Sequence, residues 1–320
     1  SNFVPKYRGG WTRQDAAYAV TAGMTIRLKI QYQSLMLIIR STSELEEFVS
    51  HSKRNGQSVG LVPTMGALHD GHLSLVERAV GENDITVVSL FVNPTQFNNP
   101  TDLATYPRDE ESDLRLLSGA GATVAFAPGV EDIYPGGVEN RARKDFDLGT
   151  VAEVMEGKFR PGHFQGVAEV VSRLLRLVRP DRAYFGEKDF QQIAVIRRMT
   201  ETEGIDVDIV ACPIRRADDG LALSSRNALL TPAQRAIAPE IHRALAGSVD
   251  YARSHSVRAT HDTVVEQIEG VPGLRVEYFE IVDGRTLLPV EEWEESPWIV
   301  GCITVYCGDI RLIDNIAYKK

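Results

Sequence analysis

Residues 59–73 read VGLVPTMGALHDGHL, and this stretch decides the fold. Its apolar half ends at Pro63, which cannot donate to the hydrogen-bond ladder of a strand. Gly66 and Gly71 follow, and at a glycine the backbone can come close to a ligand. After the second glycine, apolar residues return at the spacing of a helix, and Asp70 suits the N-cap. The stretch therefore predicts a strand, a tight turn and a helix.

Two histidines stand at the start of this predicted helix. His69 and His72 are three residues apart, so both can face an anion bound over the helix N-terminus. A metal site is a second interpretation, but no third ligand lies at a usual zinc spacing, and the cysteines are Cys212, Cys302 and Cys307. A third interpretation is a pair of core or capping histidines. Phosphate best explains the glycines beside them.

The residues from Pro63 to His72, PTMGALHDGH, resemble the signature of the pantoate–β-alanine ligase (pantothenate synthetase) family. The H-x-G-H element of this signature belongs to the class I synthetase-like nucleotidylyltransferase superfamily. The resemblance implies catalytic roles for His69 and His72. It implies ATP binding by Met65, Gly66, Ala67, Leu68, His69, Asp70, Gly71 and His72.

The composition indicates a globular chain of 320 residues, 43% hydrophobic, which is long enough for one large domain and a smaller one. A formal net charge of −9 argues against nucleic acid as a partner. Three cysteines without a C-x-x-C motif fit a reducing compartment, and no apolar run approaches the roughly 20 residues that span a bilayer. We therefore expect a cytoplasmic protein without a membrane partner.

A second polar group follows the run DITVVSLFV at residues 84–92, which is typical of a parallel strand covered on both faces. Ligands bind beyond the carboxyl ends of such strands, so Asn93 and Gln96 are placed to bind a small polar substrate. An ordinary Asn-Pro turn with a solvated glutamine is the alternative. The resemblance implies that Gln96 holds both pantoate and β-alanine, with Asn93 assisting.

A third group lies where a short strand at residues 183–185 turns into a helix through GEKD. An ammonium at a helix N-terminus adds to the positive end of the dipole, so Lys188 indicates a phosphate there unless it is an ordinary surface lysine. The resemblance implies that Lys188 is catalytic and contacts the ATP phosphates, and that Gln192 binds pantoate. It implies that Gly186, Glu187 and Asp189 also bind ATP, with Asp189 and the Gly186 backbone at the ribose.

A fourth group is the small-residue loop LSSRN after the strand predicted at residues 206–211. It resembles the K-M-S-K-S loop of the superfamily, in the form that this family uses. Hydroxyl and backbone N–H groups bind phosphate oxygens directionally, and a guanidinium can neutralise departing pyrophosphate. The implied ATP-binding residues are Leu223, Ser224, Ser225 and Arg226, with Arg226 catalytic unless it is merely solvated, and Arg215 through its main chain.

The acidic helix after Tyr106 carries one residue of interest. Charge runs of this kind usually form a solvated helix face. The resemblance implies that Asp113 approaches the metal of ATP–Mg²⁺, and a carboxylate suits that hard cation. It also implies that Glu156 and His163 lie near the substrate pocket.

The alternation of strands and helices predicts an α/β fold, a Rossmann-like doubly wound parallel sheet in residues 36–214. Alternating runs at residues 276–282 and 298–306 predict strands of a smaller C-terminal α+β domain in residues 215–320. The resemblance implies that this domain is a lid and that the protein is a homodimer. Residues 1–35 form an N-terminal extension to which we assign no function.

The residues and the resemblance together indicate ATP-dependent activation of a carboxylic acid. The resemblance implies a ligase that joins pantoate to β-alanine through a pantoyl adenylate and releases pyrophosphate and AMP. Two alternatives stay open at this point. One is another H-x-G-H nucleotidylyltransferase that leaves the nucleotide on its product. The other is a nucleotide-binding sensor without turnover.

Overall fold

The computed structural model describes residues 36–140 and 144–320. The N-terminal extension, residues 1–35, lies outside the described residues. The strands of the first sheet are β1 (Leu37–Ile39), β2 (Val59–Thr64), β3 (Ile85–Leu90), β4 (Val124–Phe126), β5 (Arg182–Gly186) and β6 (Asp208–Cys212). The helices between and beside them are α1 (Thr42–Arg54), α2 (Asp70–Glu82), α3 (Pro100–Thr105), α4 (Glu110–Gly119), α5 (Val130–Ile133), α6 (Glu156–Phe159), α7 (His163–Val178) and α8 (Phe190–Thr202).

The first sheet is parallel throughout, with the order β1-β4-β3-β2-β5-β6. Strand β2 has β3 on one side and β5 on the other, so the winding direction reverses between β2 and β5. In open α/β sheets, ligands bind beyond the carboxyl ends of the strands at such a switch point. The predicted doubly wound fold is confirmed, and it brings the ends of β2 and β5 together.

Both faces of this sheet are covered, which explains the near-continuous apolar runs. Leu61 and Phe185 pack into a core with α7 and α8, whereas Val62 and Tyr184 face the opposite core with α2. Successive side chains alternate between these two cores, as the pleat of a strand requires.

Helix α2 begins as predicted, but its cap differs from the expectation. His69, rather than Asp70, is the N-cap residue, and its Nδ1 accepts a hydrogen bond from the backbone N–H of Gly71 at 3.1 Å. The extended backbone of His69 turns the imidazole back over the first turn, so the ring takes the place that a carboxylate usually holds. Asp70 is the first helical residue.

The C-terminal part has its own core. Helices α9 (Pro232–Ile237), α10 (Glu240–Tyr251) and α11 (Val257–Glu269) precede an antiparallel sheet of β7 (Leu274–Asp283), β8 (Ile299–Cys307) and β9 (Ile310–Lys319). Strands β7 and β8 were predicted, but β9 was not. Leu221 packs in this C-terminal core, whereas Cys212 packs in the core that lies between the parallel sheet and α2. The boundary at residues 214 and 215 stays a prediction.

None of the helices in the described ranges combines the length and apolarity needed to span a bilayer.

Candidate active site

Two adjoining cavities lie at the switch point of the parallel sheet. The inner cavity has a volume of about 200 Å³, and the outer cleft, of about 810 Å³, opens between this sheet and the C-terminal sheet. The predicted residues that line the inner cavity are Met65, His69, Gly71, His72, Gln96, Gly186, Lys188, Asp189, Gln192, Arg215, Leu223, Ser224, Ser225 and Arg226. Groups from four separate motifs therefore converge on one space.

The remaining predicted nucleotide-binding residues do not line either cavity. They are Gly66, Ala67, Leu68, Asp70 and Glu187. The first three form the turn between β2 and α2, and the last lies in the 3₁₀ turn after β5.

The turn between β2 and α2 is held by a buried carboxylate. Asp113 accepts hydrogen bonds from the backbone N–H of Ala67 at 2.9 Å and of Leu68 at 2.7 Å. Gly66 has a φ of +79°, and a Cβ there would lie 2.8 Å from the Asp113 carboxylate. Only glycine fits this position, since it needs both a left-handed backbone and a close approach.

This contact gives Asp113 a place that differs from the one expected. Asp113 is only 3% exposed and lines neither cavity. Burial raises the pKa of its carboxyl group, and the hydrogen bonds from Leu68 and Ala67 lower it only in part. The structure thus assigns Asp113 to the support of the turn and does not bring it to the cavity. Its contact with a metal stays a prediction.

The two histidines stand together at the N-terminus of α2. Their ring centroids are 4.1 Å apart, and a Cβ on Gly71 would lie 2.7 Å from the His69 ring. The Nδ1 atom of His72 is buried and has no hydrogen-bond partner within the part of the chain that the structure describes. A buried polar atom without a partner is uncommon in folded proteins and calls for a functional explanation.

Both imidazoles are neutral near pH 7. Burial, followed by the positive charge of Lys188, lowers the pKa of His69 to about 4. Burial, His69 and Lys188 hold the pKa of His72 well below its usual value. The pair therefore offers N–H donors rather than cations.

In residues 36–140 and 144–320 no group of three or more His, Cys, Asp or Glu side chains is arranged to hold a metal ion, so the metal interpretation of this pair gains no support.

Lys188 lies between the two cavities. Strand β5 ends at Gly186, a 3₁₀ turn spans Glu187–Asp189, and α8 begins at Phe190. The Nζ atom of Lys188 is 3.4 Å from Asp189 Oδ2, and both residues line the inner cavity and the outer cleft.

The serine loop folds onto the turn before α2. Ser225 Oγ donates to the carbonyl of Ala67 at 2.9 Å, and Ser224 Oγ accepts from the backbone N–H of Arg226 at 3.3 Å. Arg226 Nη2 bonds to both carboxylate oxygens of Asp102 at 2.9 and 3.2 Å. These contacts fix hydroxyl, N–H and guanidinium groups beside the histidines, although 158 residues separate Ala67 from Ser225.

A second set of polar contacts orders Gln96. Its Nε2 lies 3.1 Å from Met65 Sδ, and its Oε1 accepts from Asn93 Nδ2 at 3.2 Å. His163 Nδ1 lies 2.8 Å from the Gln96 carbonyl, which can only accept, so His163 carries its proton on Nδ1. Burial and the nearby Arg160 lower the pKa of His163 to about 4, so this donor is neutral.

Sequence reasoning missed an apolar wall on the inner cavity. The residues of this wall are Phe91, Val167, Val170, Val171 and Leu174. Phe91 lies in the run predicted as a buried strand, and the other four lie on α7. No local signal in the sequence separates a core residue from one that faces a cavity. The wall and the amides of Gln96 and Gln192 together suit a small ligand that has both apolar and polar groups.

Sequence reasoning also missed the contribution of the C-terminal sheet. Arg311 donates to the two Glu156 oxygens at 2.7 and 2.8 Å, and Tyr278 and Thr304 donate to the same carboxylate at 2.8 and 3.0 Å. Burial alone would raise the pKa of Glu156. The hydrogen bonds and the charge of Arg311 outweigh burial and lower this pKa to about 2. Glu156 lines the outer cleft as expected, but it is engaged in holding the two domains together.

A parallel α/β sheet with histidines, a lysine and a serine loop around its switch-point cavity defines an enzyme that acts on a nucleotide. The family model described as pantoate-beta-alanine ligase matches residues 37–317. The chain belongs to the pantoate–β-alanine ligase family and is an ATP-dependent ligase.

Individual relatives agree with this. The pantothenate synthetase of Porphyromonas gingivalis is 55% identical over 284 residues, which cover 89% of this chain and 100% of the relative. The crystal structure of pantothenate synthetase from Thermus thermophilus has a TM-score of 0.83 at 44% identity, covering 89% of this chain and 100% of that one. The ligase from Francisella tularensis, solved with beta-gamma ATP and beta-alanine, has a TM-score of 0.72 at 35% identity, covering 89% and 98%.

Proposed function

We propose that the chain condenses (R)-pantoate with β-alanine in two steps at the paired cavities. In the first step a pantoate carboxylate oxygen attacks the α-phosphorus of ATP, the bond to the β-phosphate oxygen breaks, and pyrophosphate leaves. In the second step the free amine of β-alanine attacks the acyl carbon of the pantoyl adenylate, loses a proton, and AMP leaves. The products are pantothenate, AMP and pyrophosphate.

The observation that carries this proposal is the convergence of His69, His72, Lys188 and the Ser224–Arg226 loop on one cavity wall. Neutral imidazole N–H groups and hydroxyls donate directionally to phosphate oxygens, while the ammonium and guanidinium neutralise charge that develops on the leaving pyrophosphate. The protein forms no covalent bond to the substrate in this scheme. Positioning and charge neutralisation supply the rate.

The slot for pantoate would be the inner cavity. Gln96 and Gln192 would hold its polar groups, and the apolar wall of α7 would face its hydrocarbon part. Gln96 would also hold β-alanine, as the family resemblance implies, and the bond from His163 to its carbonyl would keep its backbone in place. As the family resemblance implies, the adenosine of ATP would bind with its ribose at Asp189 and its adenine against the backbone of Arg215.

Mg²⁺ is part of the proposal, because it would add positive charge at the triphosphate. Mg²⁺ keeps several waters and is commonly bound through substrate phosphates and one or two carboxylates, so it needs no cage of side chains. Asp113 is the carboxylate that the family resemblance assigns to it. That contact would require Asp113 to exchange at least one of its bonds to the turn at Ala67 and Leu68.

The C-terminal domain, with its boundary at residues 214 and 215, would cover the nucleotide and exclude water from the adenylate. A homodimer in the cytoplasm completes the proposal. Light scattering coupled to size-exclusion chromatography would measure the oligomeric state, and a monomeric mass at micromolar concentration would contradict the dimer.

The experiment that tests the reaction follows pyrophosphate and AMP separately. With ATP and pantoate alone, we expect about one pyrophosphate per active site and little AMP; with β-alanine added, AMP and pantothenate should form continuously. Pyrophosphate release without AMP release in the presence of β-alanine would indicate a nucleotidylyltransferase instead. Absence of any pantoate-dependent pyrophosphate would indicate a sensor.

Lys188→Ala and His72→Ala test the phosphate site. Each removes a donor that acts on developing charge, so we expect adenylate formation to fall on the order of 10²-fold or more while the fold is kept. Single-turnover pyrophosphate release measures the rate, and circular dichroism checks the fold. Lys144→Ala is the matched control, because this side chain is 55% exposed and lines neither cavity. Near-native turnover in either site variant would contradict the assigned role.

A further inference from the structure

The C-terminal strand β9 reaches directly into the lysine turn of the other domain. Asn315 Nδ2 donates to the backbone carbonyl of Glu187 at 2.8 Å and to that of Lys188 at 3.1 Å. One side-chain amide thus donates to two consecutive carbonyls of the 3₁₀ turn that carries the lysine.

The Asn315 amide is itself held in place. Its backbone N–H donates to Asp314 Oδ1 at 2.8 Å, and the Asp314 carboxylate receives Arg216 in a two-pronged pair at 2.6 and 2.9 Å. Asp314 is 5% exposed and Asn315 is 8% exposed. Neighbouring side chains on a strand point to opposite faces. Asp314 therefore anchors the strand to Arg216 on one face, while Asn315 reaches the lysine turn on the other. Buried polar groups that are hydrogen-bonded to one another in this way rigidify their surroundings.

The position of the Lys188 ammonium depends on this turn. A lysine carries its charge at the end of a flexible four-carbon stem, so the place where its Cα is held sets the region that the ammonium can reach. A contact that pins the carbonyls of Glu187 and Lys188 therefore restricts the ammonium at the mouth of both cavities.

We propose that Asn315 is a positioning residue for Lys188, so that the C-terminal domain completes the phosphate site as well as covering it. This inference rests on the proposed function, in which Lys188 contacts the ATP phosphates. Asn315 itself need not touch the substrate. It acts by holding the lysine where charge develops during adenylate formation.

Two variants test this directly. Asn315→Ala removes both donors, and Asn315→Asp keeps the size of the side chain but places a carboxylate against two carbonyls. Displacement of a catalytic group by about 1 Å can cost on the order of 10²-fold in rate, so we expect single-turnover adenylate formation to fall by roughly 10- to 100-fold, with the aspartate variant at least as slow. A rate within twofold of the wild type in a folded Asn315 variant would overturn the inference.

A double-mutant cycle shows whether the effect passes through the lysine. In the Lys188→Ala background, Asn315→Ala should cause no further loss of rate, because the group that it positions is absent. A full additional loss in the double variant would overturn the inference. Native activity of Lys188→Ala alone would instead refute the proposed role of the lysine, so the two failures are distinguishable.

The control is another buried bond across the same interface. Thr304→Val removes the donor to Glu156 at 3.0 Å and does not contact the lysine turn. We expect this variant to lower the melting temperature while adenylate formation stays within about twofold of the wild type. If Thr304→Val slows the chemistry as much as Asn315→Ala for a similar fall in melting temperature, general loosening of the interface explains both and the inference fails.

Discussion

At the scale of single residues, the imidazoles of His69 and His163 lead to a direct spectroscopic prediction. Burial comes first among the causes that lower the pKa of each to about 4. We therefore expect both rings to keep the neutral NMR signature down to about pH 5 in the folded protein and to titrate near pH 4. Asparagine variants assign the signals, and the urea-unfolded chain gives the reference titration. A midpoint near 6.5 for either ring in the folded protein would contradict the burial seen in the structure.

The lowered pKa of His163 makes the free energy of unfolding depend on pH. Its pKa is lower in the folded state than the ordinary value of 6.5, so the unfolded chain binds more protons between about pH 6.5 and 4. The free energy of unfolding should therefore fall as the pH drops through that window. For His163 the loss is roughly 3 kcal/mol at most, at 1.36 kcal/mol per pKa unit.

His163→Asn isolates this contribution, because an asparagine amide can replace the Nδ1–H donor but does not titrate. Urea unfolding at pH 7 and at pH 4.5 measures the difference in the free energy of unfolding. We expect a smaller loss between these two pH values in the variant than in the wild type. Equal losses would show that another group dominates the acid sensitivity.

Asp113 allows a test between two roles. If it mainly holds the turn, Asp113→Asn should lower the free energy of unfolding by about 1–3 kcal/mol, because each turn N–H donates to a different carboxylate oxygen and asparagine keeps only one of these two acceptors. The concentration of Mg²⁺ needed for half-maximal ATP binding should then stay unchanged. Glu111→Gln on the exposed face of the same helix is the control, with a change within about 0.5 kcal/mol. A shifted Mg²⁺ dependence with unchanged stability would favour the metal role instead.

At the scale of elements, the parallel sheet was predictable because buried strands are continuously apolar and each motif begins where a strand ends. Helix α1 likewise begins at a recognisable cap, with Ser41 accepting from the N–H of Glu44 at 3.3 Å. The cap of α2 was not predictable in the same way. A histidine caps it because the ring packs where Gly71 has no Cβ, and that contact is a property of the folded turn.

Strand β9 shows a second limit of sequence reasoning. Two polar residues, Asp314 and Asn315, interrupt its alternating pattern, so the run does not read as a strand. In the structure both are buried and bonded, one to Arg216 and the other to the lysine turn. Their partners lie far away in the sequence, so only the fold shows why polar residues stand at buried positions.

The residues of the candidate site fall into the same two groups: those that the local sequence indicates and those that only the fold reveals. His69, Lys188 and Ser225 could be found because glycines, a helix start or paired hydroxyls surround them and indicate phosphate. The apolar wall of α7 and the contact of Asn315 could not, since a valine that faces a cavity looks like any core valine in a sequence. Motif residues are therefore predictable from local chemistry, whereas residues that shape or support the cavity depend on long-range packing.

At the scale of the whole molecule, the two domains are joined by a buried ion pair, and its removal should cost stability. Arg311 of the C-terminal sheet holds Glu156 of the first domain at 2.7 and 2.8 Å. Arg311→Met leaves the buried Glu156 carboxylate with only Arg160, at 3.5 Å, as a counter-charge and removes the partner of Glu277. We therefore expect the free energy of unfolding in urea to fall by about 3 kcal/mol. Arg115→Met breaks the exposed pair with Glu111, whose side chains are 66% and 85% exposed, and should cost at most about 1 kcal/mol. Equal losses in the two variants would mean that the domains do not depend on this pair for their attachment.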